Sequence, residues 1–224
     1  MNKPDISIIL PTFNRGDVVK HAIDSILNQI FNNLELIIIN DASTDNTEQI
    51  LEAYQKQDSR IMVIHNKQNY GCAQSRNIGL NYVQANTIAF MDDDDQYADD
   101  KILNFLHHQL KKENADIVIS DYEINSEVRN MNKFGENFKY YITRQPGPFL
   151  QCILIKKKLI EKINTPFDYE ATPSEDWDFF ITLAQTNPVV TYCRCNSFKW
   201  QLNKNSQSIN FVKEANALAY ICNK

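Results

Sequence analysis

Glycine is scarce in this chain, at five in 224 residues, too few to build a Gly-rich loop that cradles phosphates with backbone amides. Positive charge is not in excess either. With 23 Lys+Arg against 28 Asp+Glu the net charge is −5, which argues against nucleic acid as the main partner because a phosphate backbone calls for a basic surface. No apolar run approaches the roughly 20 residues that span a bilayer. A strand-like segment begins so close to Met1 that a signal peptide has no room. The five cysteines (Cys72, Cys152, Cys193, Cys195, Cys222) include no Cys-x-x-Cys pair. Their odd number and spacing argue against a zinc site or a disulfide framework and suit free thiols in a reducing cytoplasm. The remainder, 43% hydrophobic and 23% charged, is the composition of one globular α/β domain, large enough for a sizeable core.

The apolar pattern alternates between two periods. Ile6-Ser7-Ile8-Ile9-Leu10 stops at Pro11 and predicts a strand. Val18, Val19, Ala22, Ile23, Ile26 and Leu27 follow at helical spacing. Residues 34–39 read LELIII, apolar on both faces as parallel strands are. Asp45, with Glu48 three residues on, predicts a capped helix burying Ile50, Leu51 and Tyr54. A strand over 60–65, a helix around 76–83, a strand over 87–91, a helix over 100–112 and a strand over 116–119 continue the alternation. This predicts a mainly parallel sheet covered by helices, with ligands at the carboxyl ends of its strands. Thr12, Asp41 and residues 92–95 fall at that edge. Residues 123–145 read as polar loop, 149–155 and 189–193 as strands, and a helix starts near Ser174. The tail, 211–223, places Phe211, Val212, Ala215, Leu218 and Ala219 on one helical face. Packing of that face on the domain is the main expectation, with a membrane surface or further sequence as the alternative.

Four consecutive aspartates follow the apolar TIAFM segment. Adjacent carboxylates resist ionising together, so a cluster at the rim of a core invites a cation. An EF-hand starting at Asp92 would put Tyr97 and Leu103 where Gly and Glu belong. One starting at Asp41 has Ser43, Asp45 and Glu52 at ligand positions, but it follows a strand, not a helix. A glycosidase pair needs two separated carboxylates, not four in one loop. A divalent cation shared between one or two carboxylates and substrate phosphates fits better, since Mg²⁺ and Mn²⁺ take oxygen ligands and no glycine cradle is there to neutralise a diphosphate.

Six segments in order carry a resemblance. They are SIILPTFNR (7–15), DSILNQ (24–29), INDASTD (39–45), SRNIG (75–79), the acidic run, and SEDWD (174–178). Together they resemble family 2 of the glycosyltransferases, inverting enzymes with the Rossmann-like GT-A fold, over residues 6–178 and more weakly to Ser208. The resemblance implies that Pro11, Thr12, Asn14 and Arg15 hold the nucleotide. It implies that Asp41 reads the base, usually uracil, with Asn40 where relatives carry a second acid. Arg76 becomes a phosphate or base contact, its alternative being a salt bridge to the acidic run. Asp94 is the expected metal ligand, with the register open by one. Asp92 and Asp93 then face ribose or the metal and its water. Glu175 and Asp176 match the catalytic acid pair, Asp176 as general base and Glu175 as support or acceptor contact. Plain helix-start chemistry is the alternative for that pair.

What this implies is a Mn²⁺- or Mg²⁺-dependent glycosyltransferase using a nucleotide-sugar, expected to be a UDP-sugar, in bacterial surface-polysaccharide or glycan synthesis. The acceptor would be a saccharide or lipid-linked saccharide. Residues 1–120 would form the nucleotide-sugar-binding half and 121–224 the acceptor-binding half, in a cytoplasmic protein with peripheral association at the inner membrane face left open. The chain departs from relatives at Gln201 and Asn203, where an Arg and a His are common. Two rivals stand: a sugar-phosphate nucleotidyltransferase, which would want a Gly-rich first loop, and a non-catalytic nucleotide-sugar or cation-binding module, which would not need Asp176.

Overall fold

The computed structural model describes residues 3–124, 126–145, 147–200 and 211–224. Its first half alternates strands and helices: β1 (Ile6–Thr12), α1 (Gly16–Leu27), β2 (Leu34–Asn40), α2 (Thr47–Gln57), β3 (Ile61–His65), α3 (Cys72–Leu80), β4 (Thr87–Phe90), β5 (Gln96–Tyr97) and α4 (Ile102–Lys112). The second half holds β6 (Ile117–Ile124), β7 (Glu127–Arg129), α5 (Asn132–Glu136), α6 (Phe138–Ile142), β8 (Ile153–Lys156), α7 (Lys157–Ile160), α8 (Glu175–Gln185), β9 (Val190–Trp200) and α9 (Phe211–Asn223).

One sheet runs in the order β3-β2-β1-β4-β8-β6-β9-β5, with β7 paired to β6. Strands β3, β2, β1 and β4 are parallel, which gathers the loops after β1, β2 and β4 at one edge. The far side is mixed. β8 descends antiparallel between β4 and β6, because the chain leaves β6 at the ligand edge and starts its next long strand there. β6 and β9 are parallel, while β5 and β7 add antiparallel edges.

Both faces of the first strands are apolar because both are covered. With a side-chain period of two, Ile6, Ile8, Leu10, Leu36 and Ile38 pack against Val19, Ile23 and Ile26 of α1 and against Leu103 and Leu106 of α4. Ile9, Ile37 and Ile39 face the opposite core with Ala73 of α3 and Phe179, Phe180 and Leu183 of α8. Helix α3 sits very close to β1. A Cβ on Gly79 would stand 2.7 Å from the Ile9 Cγ2.

Local expectations shift in five places. Helix α2 starts at Thr47, because the Asp45 carboxylate is divided between the amides of Thr47 (2.9 Å) and Gly16 (3.4 Å), while Glu48 stays exposed. Helix α3 starts at Cys72, earlier than its apolar residues imply, where Gly71 turns the chain at φ 83°. The supposed loop 123–145 contains β7, α5 and α6, whose Phe134, Phe138 and Ile142 enter the core four residues apart. The apolar stretch 149–155 divides into a 3₁₀ turn, Leu150–Cys152, and β8. Helix α9 packs on the domain, but not through the expected face: Val212, Ala215 and Ala219 are exposed and Leu218 is half-buried. Ala217 and Ile221 are buried, the Tyr220 hydroxyl donates to Asp168 at 2.9 Å, and Lys224 pairs with Asp168 and Asp178. The segment containing Gln201 and Asn203 lies outside the described residues. Among the described residues, no helix is long and apolar enough to cross a membrane.

Candidate active site

A cleft of about 430 Å³ opens at the carboxyl edge of β1, β2 and β4. Ten of the expected site residues line it: Pro11 and Thr12 at the end of β1, Arg15 after it, Asp41 after β2, Arg76 on α3, Asp92, Asp93 and Asp94 after β4, and Glu175 and Asp176 at the start of α8. Segments more than 160 residues apart in sequence thus converge because parallel strands end on one side and α8 lies across that end.

The four aspartates have four different surroundings. Asp92 Oδ1 accepts from Arg76 Nη2 at 2.7 Å. Asp93 Oδ2 accepts from the Thr12 hydroxyl at 2.8 Å. Asp94, exposed toward the cleft, stands 3.5 Å from Arg15 Nη1. Asp95 is buried and accepts from Gln151 Nε2 at 2.7 Å. Burial, reinforced by the neighbouring carboxylates, raises Asp93 to about 7 and Asp95 to about 9. Asp94 rises for the same two reasons. Burial and mutual repulsion thus favour the protonated form at Asp93, Asp94 and Asp95. A rim of oxygen donors that repel one another, with Asp94 committed only to a long ion pair, fits a hard divalent cation.

Arg76 joins the two acidic groups. It is 4% exposed; Nη1 donates to Glu175 Oε1 at 2.9 Å, Nη2 donates to Asp92, and the guanidinium lies 5.4 Å from the Phe167 ring. The salt bridge to the acidic run is present, and both terminal nitrogens meet carboxylates. Glu175 is likewise committed through one oxygen. Its Oε2 and the Arg76 Nε are buried without a partner among the described residues. Asp176 is only half-buried, and its carboxylate accepts the Trp177 amide at 2.7 Å. Burial first, and then the Glu175 charge, raise Asp176 to about 7, against a downward pull from Arg76.

Two expected nucleotide contacts lie outside the cleft lining. Asn40, 1% exposed, accepts the Ser43 amide at 3.1 Å and meets His65 Nδ1 at 3.2 Å. Asn14, at φ 53°, accepts the Thr44 amide at 2.7 Å and gives its own amide to the Ser43 hydroxyl at 2.9 Å. Asn14 thus braces the loop after β1 against the loop after β2, while Asn40 ties the loop after β2 to itself and to the end of β3. Asp41 lines the cleft but also holds the loop before α3, accepting from Asn66 Nδ2 at 2.7 Å and from the amides of Tyr70 and Gly71 at 2.9 and 2.8 Å. Some lining residues escape sequence reasoning. Phe13 lines the cleft, 41% exposed, and its signal is an aromatic directly after a strand stop. Gln151, which anchors Asp95, is one amide inside an apolar run, and nothing local marks it.

The mixed α/β fold with its curled central sheet matches GT-A glycosyltransferase structures such as S. aureus TarS. The chain belongs to glycosyl transferase family 2, whose family profile matches residues 7–171. It is 28% identical over 213 residues to WfgD of Escherichia coli, a UDP-Glc:alpha-D-GlcNAc-diphosphoundecaprenol beta-1,3-glucosyltransferase, an alignment covering 93% of this chain and 81% of that one. It superposes on S. aureus TarS 1-349 in complex with UDP-GlcNAc at a TM-score of 0.78 and 19% identity, covering 97% of this chain and 65% of that one. With the mannosyltransferase PcManGT of Pyrobaculum calidifontis, in complex with GDP-Man and Mn2+, the TM-score is 0.77 at 15% identity, covering 100% of this chain and 65% of that one. At those identities the likeness is one of fold. The chain spans less than half the length of several curated relatives it matches.

Proposed function

We propose that this chain transfers a sugar from a nucleoside-diphosphate donor, a UDP-sugar, to an acceptor hydroxyl with inversion, in bacterial polysaccharide or glycan synthesis. The observation that carries the reading is that Asp176, with a proton affinity near neutrality, shares one cleft with the acidic run and the loop after β1. The UDP-Glc donor of WfgD and the UDP-GlcNAc held by TarS support a UDP-sugar. The GDP-Man of PcManGT means that the fold alone does not choose the base. The acceptor is then a saccharide or lipid-linked saccharide, and the protein works in the cytoplasm at the inner face of the membrane.

In this reading residues 1–120 hold the donor and 121–224 supply the base and the acceptor side. Pro11, Thr12 and Arg15 lie along the diphosphate. Asp41 accepts the ring N–H of uracil. Each Asp41 oxygen already accepts two contacts, the Tyr70 amide reaching both at 2.9 and 3.1 Å, so the base N–H would take the place of the longer Tyr70 contact. Asp94 and Asp92 would hold Mg²⁺ or Mn²⁺, and the Mn²⁺ in PcManGT supports that assignment. The bound cation would stabilise charge on the departing diphosphate. Asp176 takes the acceptor hydroxyl's proton, and Arg76 ties Asp92 to Glu175 through its two terminal nitrogens.

A nucleotidyltransferase is disfavoured by the absence of a Gly-rich loop after β1. A binding module would not need Asp176. UDP release from a panel of nucleotide-sugars, with and without saccharide acceptors, separates the classes. Release that depends on acceptor and fails in Asp176→Asn is expected. Binding with no release for any donor–acceptor pair would overturn the enzymatic reading.

A further inference from the structure

Two thiols on β9 stand closer than a regular strand allows. Ser120 pairs with Cys193, but the next residue of β6, Asp121, pairs with Asn196. While β6 advances one residue β9 advances three, so Arg194 and Cys195 belong to a bulge. With a rise of about 3.3 Å per residue, side chains two apart on a flat strand start nearly 7 Å apart. Here the sulfurs are 3.6 Å apart, the Cys195 thiol donating to the Cys193 sulfur. Both residues are half-buried against the α4 side of the core, and Arg194 between them is exposed. The thiol hydrogen bond draws the Cys193 pKa down, and the same contact pushes Cys195 up. The other cysteines differ: Cys152 is fully buried, Cys72 has its thiol pushed well up by burial, and Cys222 is exposed on α9.

We propose that Cys193 and Cys195 form a thiol–disulfide exchange site that takes a low-molecular-weight disulfide as its oxidant, Cys193 attacking and Cys195 resolving. The Cys193 thiolate displaces one thiolate from the small disulfide and forms a mixed disulfide. Cys195 gives its proton to the departing thiolate, and its sulfur then attacks Cys193 Sγ and expels the second thiolate, which takes up the proton first lost by Cys193. The protein loses two electrons and two protons, and the small disulfide becomes two thiols. Thiolate character combined with a neighbour in reach makes such exchange site-selective. The new bond pins a bulge that lies just before Phe198 and Lys199, the residues that pair with β5 beside Asp95. The inference is independent of sugar transfer.

Glutathione disulfide is the probe. Trypsin cuts after Arg194, so an intramolecular disulfide leaves two peptides joined that separate on reduction. Joined peptides are expected to form about tenfold faster than glutathionylation of Cys222. Cys195→Ser should accumulate a stable glutathionyl adduct at Cys193, and Cys193→Ser should react about tenfold more slowly at Cys195. Unmodified peptides in the parent protein under conditions that modify Cys222 would overturn the proposal. So would an adduct in the Cys195→Ser protein at Cys222 but not at Cys193. Thermal melts of both serine variants, expected within a few degrees of the parent, separate chemistry from misfolding.

Discussion

At the scale of single residues, Asp176 is where the electrostatics have the clearest consequence. Raised to about 7, it is a base only when deprotonated, so transfer should rise with pH through an apparent pKa near 7 and be lost in acid. Asp176→Asn removes the basicity and keeps the shape. Turnover should fall by roughly 10²-fold or more, while UDP affinity measured by calorimetry stays within a few-fold of the parent. Parental turnover in the variant would leave Asp176 as a helix-start residue. Base recognition is tested at Asp41. UDP should bind more tightly than CDP, which lacks the ring N–H, and Asp41→Asn should erode that preference. Because Asp41 also holds the loop 66–71, the ratio of the two affinities is the informative quantity, since damage to the loop weakens both nucleotides alike.

The element scale shows what a linear reading can and cannot reach. Strands β1 and β2 and helix α1 are legible because long apolar periods leave little choice of conformation. The acid pair at the start of α8 is legible from SEDWD. Helices α5 and α6 are not, because their stripe of Phe134, Phe138 and Ile142 is interrupted at Asn137 and set in polar sequence. The insertion of β8 between β4 and β6 is a matter of topology that no local pattern encodes. Asn14 and Asn40 carry the right motif letters, yet only the packing of the loop after β2 shows that their side-chain oxygens accept its backbone amides at Thr44 and Ser43. The start of α3 depends on Gly71, which occupies φ 83° and ψ 168°, a region essentially restricted to glycine. Gly71→Ala should cost about 1–3 kcal/mol, read as a lower denaturation midpoint. It should also weaken UDP binding, because the Gly71 amide is a partner of Asp41. An unchanged midpoint would mean that the turn relaxes freely.

Across the whole molecule, the cleft imposes a pH dependence that a cation should reverse. Asp93, Asp95 and Asp176 carry pKa values raised to about 7, 9 and 7. Between the ordinary carboxylate range and those values the folded protein binds more protons than the unfolded chain, so stability falls as pH rises. Carboxylates whose pKa is lowered by partners, such as Asp58 beside Arg60 and Asp168 beside Lys224, act in the opposite sense, but only at lower pH. Without metal, the melting temperature should therefore drop between about pH 5 and pH 8. A cation bound only by the folded state adds stability by mass action, and it competes with protons for the same oxygens. Saturating Mn²⁺ should then raise the melting temperature strongly near pH 8 and little near pH 5, and EDTA should restore the metal-free curve at both. Asp94→Ala should abolish the metal response and flatten the metal-free slope only in part, since burial still raises Asp93, Asp95 and Asp176. A Mn²⁺ shift of equal size at both pH values would show that the ion binds away from the proton-holding acids.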